Sequence, residues 1–110
     1  MRGKIFRMLV VGTDRPERYF ARHKGHKGIK AARTQYEAWL ALAKSSRWRM
    51  PEDVKAAHAK ASILKSGRVV FNIKGNDYRL ITIVDYRTEV VAIRFFGTHA
   101  EYDEVDAETI

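Results

Sequence analysis

The chain has 110 residues, 45% of them hydrophobic and 31% charged, with seven Gly and two Pro. That size and balance fit one globular domain over residues 1–110 with a modest core, and exclude disordered and fibrous classes. The absence of Cys excludes a disulfide scaffold and thiolate zinc sites. The net charge is +8, unevenly spread: residues 1–97 hold all 21 basic residues against eight acidic ones, a net of +13, while residues 98–110 hold five acids and no Lys or Arg. A basic body of this kind meets phosphate or an acidic protein partner, or simply carries a solvated basic surface.

At the start, "KIFRMLVV" reads as a first strand. Its apolar run "MLVV" is too short for a signal peptide or a membrane span, so a cytoplasmic protein without membrane contact is expected. "TDRPER" has the features of a helix start, with Thr13 or Asp14 as cap, Pro16 in the first turn and Glu17 complementing the helix dipole. That short helix carries Tyr19 and Phe20 and breaks at "GHKG". A longer helix is predicted over 29–45, because Ile29, Ala32, Tyr36, Trp39, Leu40 and Ala43 fall on one stripe at helical spacing. Pro51 opens a further short helix with Glu52 and Asp53 in its first turn.

From Arg68 the pattern turns to strands: "RVVFNIK", "DYRLITIVD" and "EVVAIRFFG". A tight hairpin on Gly75-Asn76, both tolerant of positive φ, sets Ile73 opposite Tyr78, Phe71 opposite Leu80 and Val69 opposite Thr82. A second turn on Arg87-Thr88 sets Leu80 opposite Phe95, Thr82 opposite Ile93 and Val84 opposite Val91. The fold class is therefore α+β, with helices on the apolar face of an antiparallel sheet. The opposite face carries Arg68, Asn72, Lys74, Arg79 and Arg94 among Val70, Ile81, Ile83, Ala92 and Phe96. Such a face suits an RNA strand, with Arg forks on phosphates and Phe96 stacking on a base; it is equally what an ordinary solvated sheet face looks like.

After Gly97, "THAEYDEV" turns at the sheet edge with Thr98 as cap. If helical, it places His99 and Tyr102 on one side, an imidazole and a phenol at the rim of the cationic face. RNA strand cleavage uses a base for the 2′-hydroxyl proton, cations for the phosphate and an acid for the leaving oxygen. Each residue also has a structural role open to it: His99 as a cap, Tyr102 as edge packing, and the arginines as ion-pair partners. Glu101, Asp103, Glu104 and Asp106 read as acids that anchor the tail or keep it soluble. His23 and His26 sit in or beside a Gly-Lys turn and His58 stands alone, so no metal site and no cofactor is expected.

The stretches "WRMPEDVK", "RVVFNIKGNDYRLITIVDY" and "IRFFGTHAEYDEVDAETI" resemble the HigB family of toxins from type II toxin-antitoxin systems, a branch of the RelE/ParE superfamily. The resemblance covers Trp48 to Ile110, and "VFNIKGNDYRL" followed by "GTHAEYD" is its specific part. It implies a RelE-like domain, a small antiparallel sheet with two helices packed on one face. It implies a ribosome-dependent mRNA interferase working without metal, partnered by a HigA-type helix-turn-helix antitoxin through which alone operator DNA is bound. Carried onto this chain, the polar sheet positions are Lys74, Asn76, Arg79 and Arg94, with the arginines stabilising phosphate and His99 and Tyr102 transferring protons. Two other classes compete: a ParE-like inhibitor of a protein target such as gyrase, and a non-catalytic basic RNA-binding domain.

Overall fold

The computed structural model describes residues 7–110. Along the chain run β1 (Leu9–Val11), α1 (Asp14–Arg22), α2 (Ile29–Ser45), α3 (Pro51–Ala57), β2 (Ser62–Ile63), β3 (Arg68–Ile73), β4 (Tyr78–Asp85), β5 (Val90–Thr98) and α4 (His99–Tyr102). Of the expected first strand, residues 4–6 lie outside the described residues and 9–11 form β1. α2 has the predicted bounds, with Ile29, Ala32, Tyr36, Trp39 and Ala43 buried and Leu40 packed partly against the core. Thr13 occupies the N-cap position of α1 without a side-chain cap bond, and Asp14 instead pairs with Arg18 at 2.6 Å.

The strands form one sheet in the order β1-β5-β4-β3-β2. It is mixed, which corrects the antiparallel expectation: β1 pairs parallel with β5, the other pairs being antiparallel. Three helices separate β1 from the hairpins, a crossover long enough to return the chain parallel. β2, two residues at the far edge, is too short to show a strand pattern. Gly12 joins β1 to α1 at φ 83°, and a Cβ there would sit 2.5 Å from the Ile93 carbonyl oxygen, so only glycine lets this turn press on β5.

The first hairpin has the predicted register, and Asp77 N–H closes its turn on the Lys74 carbonyl. Positive φ falls at Lys74 and Gly75 rather than at Asn76. In the second hairpin Thr82 faces Ile93 and Val84 faces Val91 as expected, but Leu80 faces Phe96 and Ile81 faces Phe95. A β-bulge between Ile81 and Thr82 leaves Arg94 without a partner, and beyond it the alternation of β5 is reversed. Phe96 is therefore not on the outer face for stacking on RNA. It is 6% exposed in the core, and Phe95 takes the outward, half-buried place.

Within the core Phe96 is the hub of an aromatic cluster, its ring centroid 5.2 Å from Tyr19, 5.0 Å from Phe20, 6.1 Å from Tyr36 and 5.5 Å from Tyr78. α1 packs on β5, and α2 on β1 and β3. The other face is not bare, as the sequence suggested. Val70 and Ile81 are buried there, α4 packs on β4 and β5, and the Arg68 guanidinium donates to the Ile110 carbonyl at 2.7 Å. Because the bulge places one phenylalanine inside and its neighbour outside, Phe96→Ala should cost about 3–5 kcal/mol. Phe95→Ala should cost about 1 kcal/mol or less. Denaturant unfolding checks this, and equal losses at the two positions would show that β5 carries no bulge.

Candidate active site

The β3–β4 turn, the α1–α2 connection and the start of α4 meet at one end of the sheet. They border a shallow, open cleft of about 460 Å³ lined by Lys27, Lys74, Asn76, Asp77 and His99. The turn brings Lys74 and Asn76 there, because its tight closure points both away from the strands. Lys74 is fixed twice: its N–H donates to Gln35 Oε1 at 3.0 Å, and its ammonium to Asp77 Oδ2 at 2.8 Å. That bond raises the Lys74 pKa and offsets the negative charge that Asp77 brings to the cleft.

His99 is the first residue of α4, and Thr98 caps that helix as expected. The Thr98 hydroxyl accepts from Glu101 N–H at 3.1 Å and Glu101 Oε1 accepts from Thr98 N–H at 2.8 Å, a complete capping box. Residues four apart share a helix side, and Asp103 Oδ2 lies 3.3 Å from His99 Nδ1. The His99 side chain is 44% exposed and open to the cleft.

Glu101 braces α4 rather than serving as a solvating acid. The Tyr19 hydroxyl donates to the same Glu101 Oε1 at 2.8 Å, tying α1 to α4. Gly97 makes room for this carboxylate, since a Cβ there would lie 2.8 Å from Oε1. Burial, with the Glu101 bond second, pushes the Tyr19 phenol far up. For Glu101 itself partial burial acts upward, but the bonds from Thr98 and Tyr19 outweigh it and hold the carboxyl below 4.5.

Of the residues expected at the site, Lys74, Asn76 and His99 line the cleft. Arg79, expected as an open cation, is only 9% exposed. Its fork donates to Asn76 Oδ1 at 2.6 Å and to the Asn76 and Tyr78 carbonyls at 3.1 and 3.2 Å. It thus positions Asn76, and its guanidinium lies 5.8 Å from the centre of the Tyr102 ring, which stands edge-on to His99 at 6.3 Å. Arg68 sits at the other end of β3, roughly 20 Å away by strand rise, and is occupied by the chain end. Asn72 is exposed beside His58, and Arg94 lies along α1; neither lines the cleft.

Lys27 and Asp103 were missed. The His99–Asp103 spacing of four was the available signal, whereas Lys27 has none, because only the fold brings its connection to this end of the sheet. The tail acids Glu104, Asp106 and Glu108 form no ion pair among the described residues, and the bond that ties the tail back comes from Arg68.

A mixed sheet flanked by helices, with a basic cleft beside a short histidine-bearing helix, broadly fits a small RelE-like toxin. The family model described as HigB toxin, RelE-like toxic component of a toxin-antitoxin system, matches residues 32–105. The chain belongs to that family, and an antitoxin is its partner. The match begins within α2, upstream of the quoted motifs. No curated protein matches the chain.

The sign of the Glu101 shift sets a pH dependence. A carboxyl whose folded pKa lies below 4.5 stabilises the fold above that value and loses the contribution as pH falls through the lower folded one. Glu101→Gln should therefore melt below wild type at pH 7, and the gap should shrink as pH falls below 4.5 through the lower folded pKa. Thermal unfolding across pH checks this; a gap constant down to pH 3 would show that the Glu101 charge is not what braces α4.

Proposed function

We propose that this toxin is a ribosome-dependent endoribonuclease that cuts translated mRNA in the cytoplasm without metal, and that a HigA-type antitoxin neutralises it and alone contacts operator DNA. The observation that carries the reading is His99, with the Asp103 carboxylate 3.3 Å from its Nδ1, facing Lys27, Lys74 and Asn76 in one cleft. His99 Nε2 takes the proton of a ribose 2′-hydroxyl, and the 2′-oxygen attacks the adjacent phosphorus. Lys27 and Lys74 stabilise the charge gathering on the phosphate oxygens, while Asn76, set by Arg79, orients them. The bond to the 5′-oxygen breaks and that oxygen takes up a proton, leaving a 2′,3′-cyclic phosphate and a 5′-hydroxyl. Tyr102, beside His99, is assigned the role of donor for that proton.

Induced expression with end-mapping of cellular mRNA tests the reading. Wild type should produce new ends within translated codons, and His99→Ala should reduce them by at least about 100-fold. Asp103→Asn should lower cutting by at least about tenfold and also change the His99 tautomer seen in ring-nitrogen NMR shifts. Tyr102→Phe separates donor from brace: a loss as deep as that of His99→Ala assigns the proton to the phenol. Undiminished cutting by His99→Ala would refute the site. Growth arrest with a DNA-damage response and no cuts would favour a gyrase-type target, and harmless expression a plain RNA-binding domain.

A further inference from the structure

A second cationic feature lies outside the cleft. Arg15, Arg18 and Arg22 follow one stripe of α1, and with Arg94 and Phe95 they line a groove of about 260 Å³ along β5. Arg18 is taken by Asp14, but Arg15, Arg22 and Arg94 are exposed and have no carboxylate partner among the described residues. Three guanidinium groups thus face one groove, spread over the two turns or roughly 10 Å that separate residues seven apart on a helix. The bulge supplies the rest, bringing Arg94 out of the ladder and turning the half-buried Phe95 ring to the same side.

We infer that this groove binds the phosphodiester backbone of RNA and anchors it next to the His99 cleft, a reading that rests on RNA being the ligand of that cleft. Unpaired guanidinium forks match phosphate oxygens, and an aromatic face among them is a platform for a base, a combination that an acidic peptide does not require. The groove is tied to the helix carrying His99 through Tyr19, which lines the groove and donates to Glu101 of that helix. Of the groove's two walls, α1 lies outside the family match at 32–105, whereas Arg94 and Phe95 lie within it. The RNA phosphates come from the strand being cut or from ribosomal RNA.

The test uses the full chain, a short single-stranded RNA oligonucleotide read by fluorescence anisotropy, and co-sedimentation with ribosomes. Arg15→Gln/Arg22→Gln/Arg94→Gln should weaken binding by at least about tenfold and lower the salt slope of log K by about 2, since each phosphate contact on a single strand contributes about 0.7. Phe95→Leu should weaken it at least about fivefold. Arg49→Gln/Lys60→Gln/Lys65→Gln, which removes the same charge from exposed positions away from the groove, should change neither. Loss on the oligonucleotide identifies the cut strand, and loss only on ribosomes identifies ribosomal RNA. Equal losses in the two triple variants would overturn the proposal in favour of general charge. Unchanged RNA binding with lost affinity for purified antitoxin would overturn it in favour of an acidic protein segment. His99→Ala keeps the two readings apart, because its oligonucleotide binding reports on the groove whether or not the cleft cuts RNA. The melting temperature of each variant, expected within a few degrees of wild type, excludes unfolding as the cause.

Discussion

The placement of one phenylalanine organises this molecule. Had β5 kept strict alternation through "IRFF", Phe95 would face the helices and Phe96 would face outward. The bulge at Arg94 inverts that order and puts Phe96 between Tyr19, Phe20, Tyr36 and Tyr78. A buried aromatic of this size removes some 150–250 Å² from water. That burial is why α1 lies against β5 rather than elsewhere on the sheet. Everything at the functional end depends on it: Tyr19 is placed by Phe96, Glu101 by Tyr19, and α4 by Glu101.

Where one physical signal dominated, the sequence was legible. The apolar stripe of α2 predicted its bounds, and the first hairpin's register followed from burying Val69, Phe71 and Ile73 while keeping Arg68 and Asn72 out of the core. The bulge had no such signal. Both phenylalanines are apolar, so either orientation buries one ring, and the choice is made by packing against an α1 more than 70 residues away in sequence. That single ambiguity accounts for the misplacing of Phe96 and of Arg94. The parallel partner of β1 was illegible for a related reason, since strand order is a property of crossover connections and not of local pattern.

Carboxylates at the functional end illustrate how little charge sign alone decides. Asp77, Glu101 and Asp103 all sit where a phosphate would be repelled by a bare anion. Two are instead engaged, Asp77 by the Lys74 ammonium and Glu101 by the Thr98 N–H and the Tyr19 hydroxyl, while Asp103 lies 3.3 Å from the His99 imidazole. The cationic groups divide in a similar way. Arg79 and Arg68 are used internally, on the turn carbonyls and the chain end, so counting basic residues on a sheet face overstates what is offered to a ligand. Among the cations with no carboxylate partner among the described residues, Lys27 lies in the cleft and Arg15, Arg22 and Arg94 lie along α1, mostly in elements whose role composition could not reveal.

This distribution gives α1 two tasks through one side of its surface. Its apolar residues Tyr19 and Phe20 hold the aromatic hub, while Arg15 and Arg22, one turn to either side, frame the groove. Because the Tyr19 hydroxyl ends on the carboxylate that caps α4, a change in how α1 sits on β5 reaches His99 through two hydrogen bonds and no mobile loop. Binding along the groove and alignment of the imidazole therefore share one mechanical support. A buried tyrosine whose hydroxyl is accepted by a charged carboxylate makes that support stiff, since freeing either group would leave a polar atom unsatisfied in a partly buried site.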